Sequence, residues 1–140
     1  MALTKNPNRQ EVLVATCDFV FGDLVSGVFA PMIDLPLNAV VIDGALFVTT
    51  LFNSATTDQF SIGDKVGIAA ASVSTYAALT ADITAVGRAA LAIATGVKVT
   101  AGDTTVGVVW TGVGGGITAG VGRLVIEYMI EGNSEGTYEH

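Results

Sequence analysis

The side chains able to do chemistry are few and far apart in this sequence. His140 is the sole histidine and the last residue, and Cys17 is the sole cysteine. Nucleophilic catalysis needs a Ser-His or Cys-His pair held within hydrogen-bond reach, and a terminal histidine reads instead as part of a solvated tail. Glycoside hydrolysis needs two carboxylates in a cleft lined by aromatic and polar groups. Asp18, Asp43 and Glu127 fall on strand-like runs without such surroundings. Asp58 and Asp64 could offer oxygen ligands to a hard cation, but their spacing matches no calcium loop, and turn caps are the simpler reading. Gly112 to Gly116 (GVGGG) lacks the Lys-Ser/Thr of a phosphate loop and follows a strand pattern rather than opening a helix. The expectation is a chain that is not an enzyme and carries no cofactor or metal site.

Asp18, Asp43 and Glu127 sit on extended chain. From Asn38 to Phe52, Val40, Ile42, Leu46, Val48 and Phe52 share one face at period two, while Asp43 and Thr49 alternate with Val41, Phe47 and Leu51 on the other. A strand apolar on its second face is covered by its own chain or by another. Leu124, Ile126, Tyr128 and Ile130 alternate with Arg123, Val125, Glu127, Met129 and Glu131, and Val106, Val108 and Trp110 alternate with Thr105, Gly107, Val109 and Thr111. Trp110 is expected in the core. Cys17 is in phase with Leu13, Ala15, Phe19 and Phe21, which predicts a buried, inert thiol.

Turn residues mark the connections. Gly22 to Ser26, Asn53 to Gln59, Gly63-Asp64, Gly96, Gly102-Asp103 and Gly112 to Gly116 read as turns or loops. Pro31 and Pro36 close a short extended piece from Gly27 to Ile33. Tyr76 to Ala94 is mixed: its alanines favour helix, its threonines and isoleucines strand, so a helical turn is placed near Ala77 to Asp82 and a strand over Ala89 to Ala94. Met1 to Gln10 is polar, contains Pro7 and has no period, and reads as an arm. The sum is all-β: an antiparallel, jelly-roll-like sandwich of about eight strands over residues 11–140 behind an N-terminal arm, residues 1–10.

Composition narrows the function. Hydrophobic residues make up 51% of the 140 residues and charged ones 14%, against a usual charged share of about 25%. So little solvating charge favours buried subunit interfaces. The longest charge-free run, Thr104 to Gly122, holds seven glycines and suits strands rather than a membrane span. Glu11 and Asp18 interrupt the apolar stretch behind Lys5 and Arg9, which argues against an export signal. A net charge of −7 with six basic residues, never adjacent, gives no surface for tracking phosphates, so nucleic acid is not an expected partner.

Three segments, LPLNAVVIDGALFVTTLFNSATTDQFSIGD, ATGVKVTAGDTTVGVVWTG and TAGVGRLVIEYMIEG, resemble small head-decoration, or cement, proteins of tailed bacteriophages over about Leu35 to Gly132. The resemblance implies a β-sandwich protomer, usually a homotrimer, on the exterior of the virion head, tying neighbouring major capsid subunits together. Such relatives commonly carry a basic residue soon after the last strand; Glu131 to Glu135 (EGNSE) replaces it here. Under this reading Lys5, Pro7 and Arg9 of the arm contact a neighbouring subunit, and Val41, Phe47 and Leu51 line the trimer seam. The alternatives are a tail or baseplate protein of the same virion, or a β-sandwich module for a carbohydrate or host-surface ligand, for which Tyr76 is the nominated contact.

Overall fold

The computed structural model describes residues 11–89, 93 and 97–131. Along the chain come β1 (Leu13–Val20), a 3-10 turn (Phe21–Asp23), β2 (Phe29–Leu35), β3 (Ala39–Thr50), β4 (Thr57–Val66), β5 (Ser72–Ala77), β6 (Gly87–Arg88), β7 (Val97–Lys98), β8 (Thr104–Val113) and β9 (Val121–Ile130). They form two antiparallel sheets, ordered β1-β9-β3-β6 with β7 also on β3, and β2-β8-β4-β5. Folding the chain at the β4–β5 connection pairs β4 with β5, β3 with β6 and β7, β2 with β8, and β1 with β9. That long hairpin, wound across two layers, is a jelly roll, the β-sandwich class expected from the sequence.

The core lies between the layers. Leu46, Val48, Leu124 and Ile126 of one sheet meet Leu35, Phe60, Ile62, Val106 and Val108 of the other, and all are fully buried. At one end four aromatic rings gather. Phe52 stands edge-on to Phe60 at 5.0 Å between centroids and packs tilted against Phe19 and Trp110. Such pairs add about 0.5–1.5 kcal/mol beyond their buried area. Trp110 is in the core, as its phase predicts.

Four local expectations are corrected. In β3 the ladder to β9 slips between Val41 and Asp43, so the inward phase changes from Ala39 and Val41 to Gly44, Leu46 and Val48. Val41 is therefore buried in the core, not on the Phe47 face. Gly63 does not turn the chain: it lies inside β4, where β5 passes so close that a Cβ would fall on the Ser72 carbonyl oxygen. The turn comes later, with Gly67 at φ 51°. No helical turn forms over Ala77 to Asp82, because side chains tie that segment to β4: Phe60 N–H donates to Thr80 Oγ1 at 3.1 Å and Asp58 N–H to Asp82 Oδ1 at 2.7 Å. Cys17 is half-buried rather than buried. Partial burial, then Asp18 and Asp23, push its thiol above the ordinary value, which disfavours the reactive thiolate.

Candidate interaction surface

Of the carboxylates weighed from the sequence, Asp43 and Glu127 are brought opposite each other on β3 and β9, and the others are placed apart or tied up. Asp58 and Asp64 both lie on β4, at its two ends. Six steps along the strand put them about 20 Å apart, too far to share a cation. Asp58 is buried, accepting from Trp110 Nε1 at 2.8 Å and from Ser54 N–H at 3.0 Å, and Asp64 accepts from Thr75 Oγ1 at 2.5 Å. Among the described residues no three His, Cys, Asp or Glu side chains gather as a metal site. Tyr76 is 1% exposed, so it cannot be a ligand contact at the surface. His140 and the strand over Ala89 to Ala94 lie, wholly or in large part, outside the described residues.

The feature with most to offer is the outer face of the β1-β9-β3 sheet. Strand register builds it in rows. Asp18 stands opposite Arg123, Arg123 opposite Phe47, and Phe47 opposite Arg88; the next row is Thr16, Val125, Ala45, and the one after is Val14, Glu127, Asp43. Because the inward positions of β9 are taken by Leu124 and Ile126, every residue in these rows points away from the core. Arg123 holds Asp18 with Nε to Oδ1 at 2.5 Å and Nη2 to Oδ2 at 3.2 Å, a two-pronged contact that lowers the aspartate pKa.

Beside that pair, Val14 is 58% exposed and Phe47 37%. Thr16, Phe47, Thr49, Arg123 and Val125 line a shallow hollow of about 410 Å³. An adjoining hollow is lined by Asp43, Phe47, Arg88, Val125 and Glu127. Phe47 and Val125 line both, and a phenyl ring presented this way, with arginines on either flank, can bury area against a partner while the charges fix orientation.

No family model matches the chain, and no curated protein does. Solved structures do match. A chain of the cyanophage Pam1 capsid asymmetric unit superposes with a TM-score of 0.64 at 17% identity, over 93% of this chain and 91% of that one. A chain of the acidic stable capsid structure of Helicobacter pylori bacteriophage KHP30 does so with a TM-score of 0.53 at 14% identity, over 86% of this chain and 93% of that one. The fold is one found in phage capsids. At such identities the likeness covers the jelly roll and leaves the surface chemistry of this chain its own.

Of the residues expected at an interface, Phe47 alone is brought to this outer face. Leu51 is half-buried just past β3, Val41 is in the core, and Lys5, Pro7 and Arg9 lie outside the described residues. Val14 and the Asp18–Arg123 pair were missed by the sequence reading. The signal for Val14 was present, since in Leu13 to Val20 it alternates with the inward Ala15, Cys17 and Phe19; what was missing was the knowledge that β1 lies beside β9.

Proposed function

We propose that this protein is a structural component of a phage virion, a decoration or cement protein that sits as a homotrimer on the exterior of the head and ties neighbouring major capsid subunits together. The observation that carries the reading is the near-complete coverage, on both sides, of the jelly-roll matches to chains of two phage capsids. The outer face on which Phe47 and Val14 are exposed among charged side chains, and the low charge content, support it.

Such a protein works by burying surface, at about 25 cal/mol per Å² of apolar area removed from water. Three linked protomers add avidity. Binding to the assembled lattice and not to dissociated subunits then stabilises the shell by mass action. In this reading Phe47 and Leu51 lie toward the subunit seam, and Lys5, Pro7 and Arg9 act from the arm.

Electron microscopy of the virion tests it. The expected result is density of this fold outside the shell at the local three-fold axes. Density in the tail or baseplate, or the absence of the protein from purified particles, overturns it.

A further inference from the structure

Among the described residues β1 pairs with β9 and ends its sheet. One bond fixes which of its groups are open. Phe21 N–H donates to the Gly120 carbonyl at 2.9 Å, so the two-residue alternation turns the main-chain groups of odd residues toward β9 and those of Val14, Thr16, Asp18 and Val20 toward the edge. Val20 N–H is met by Asp23 Oδ2 at 2.9 Å. The N–H groups of Val14, Thr16 and Asp18 have no such cap among the described residues.

The other edges are blunted and this one is not. β2 carries Pro31 and a register slip, β5 is six residues long, and β6 and β7 are two each. β1 runs eight residues with neither proline nor lysine. Beside it, between the β1 and β2 edges, lies a groove of about 300 Å³ whose lining includes Cys17, Phe19, Val28 and Pro31. Among the described residues its charged lining groups are Asp18 and Asp23. An open ladder next to an apolar, acidic trough is suited to an added strand with basic side chains.

We propose that β1 takes up the arm, Met1 to Gln10, of a second copy of this chain. Ten extended residues span up to about 33 Å, enough to run the length of β1. The arm carries Lys5 and Arg9 and no carboxylate, which complements Asp23, the trough's carboxylate that no arginine holds among the described residues. In an extended arm Lys5, Pro7 and Arg9 share one phase, so Pro7 can direct its missing N–H away from the ladder while Thr4, Asn6 and Asn8 bond to β1. Folding back onto its own β1 would need a tight turn within Arg9 to Val12, and that stretch holds no glycine, proline, asparagine or aspartate. The exchange deepens the homo-oligomer of the proposed function, but it stands on the edge geometry and is tested without a virion.

Amide hydrogen exchange of the full-length chain across a dilution series decides it. At high concentration the Val14, Thr16 and Asp18 amides should exchange at least about tenfold more slowly than after dilution to monomer. The double charge reversal Lys5→Glu with Arg9→Glu, remote from the folded core, should remove that protection and leave core amides unchanged. Fast exchange at every concentration, protection that persists in a strictly monomeric sample, or protection untouched by the charge reversal would each overturn the proposal. A chain that binds the phage head while these amides exchange freely would sink the strand exchange and leave the proposed function standing.

Discussion

The indole of Trp110 donates its N–H to the buried carboxylate of Asp58 at 2.8 Å, joining the middle strand of one sheet to the start of its neighbour. The same carboxylate receives Ser54 N–H. Asp58→Ala strands both donors, and an unsatisfied buried donor costs about 1–3 kcal/mol. Chemical denaturation should therefore show a loss of about 3 kcal/mol, with tryptophan fluorescence shifting toward that of a wetter indole; a loss under about 1 kcal/mol would mean that water replaces the carboxylate.

Gly63→Ala should be among the most damaging single changes, because its new methyl meets main chain at Ser72 and Val73, which cannot rotate aside. A destabilisation of about 3 kcal/mol is expected by denaturant titration. Gly22, with open space around its missing Cβ and no positive φ, is the matched control and should tolerate alanine.

Tyr76 is buried with a hydroxyl that finds no partner among the described residues. Burial, with Asp64 adding to it, pushes the phenol up to about 12. Since the folded value lies above the unfolded one, the group's contribution to stability is intact below pH 10 and is lost as pH rises toward 12. Spectrophotometric alkaline titration should show a late phenol for Tyr76 that Tyr76→Phe removes. The same variant should be neutral or more stable by up to about 1 kcal/mol, since it deletes an unpaired polar atom.

Asp18 titrates below the ordinary aspartate range because Arg123 bonds to it. What the pair adds to stability is thus present above that range and lost as pH falls through the lowered value. Carboxyl resonances followed by NMR should place the Asp18 midpoint below the ordinary aspartate value, and Arg123→Ala should return it there. An unmoved midpoint would show that the pair does not persist in solution.

Phe47→Asp should weaken self-association or binding to phage heads at least about fivefold while changing fold stability by less than about 0.5 kcal/mol. Ile68→Asp is the comparison: Ile68 is 102% exposed on the Gly67 turn and should alter neither. Equal behaviour of the two variants, measured by light scattering and head co-sedimentation, would remove Phe47 from the interface.

How far the sequence carried depends on ladder regularity. β8 runs unbroken against β4 and β9 against β1, the extra residues of their other ladders fall in β2 and β3, and the alternation of β8 and β9 assigns Val106, Val108, Trp110, Leu124 and Ile126 to the core correctly. β3 slips twice, between Val41 and Asp43 and between Val48 and Thr50. A period-two count cannot see a slip, so Val41 was put on the wrong side. Gly63 reads as a turn in the sequence because a glycine needed for close approach looks the same in one dimension as a glycine needed for a bend. The outer face was half legible: Phe47 and Val125 had outward phase, but their meeting with Asp18 and Val14 depends on β1 pairing with β9, more than a hundred residues away.

β9 follows every other described strand in the chain and yet occupies the middle of its sheet, between β1 and β3. Until it is made, β1 and β3 have no common neighbour, and Phe47 has no Arg123 or Val125 beside it. Such long-range closure makes for slow, all-or-nothing folding. A chain truncated before Val121 would thus lack the row that runs from Asp18 through Arg123 to Phe47, so that row exists only on molecules made to their last described strand.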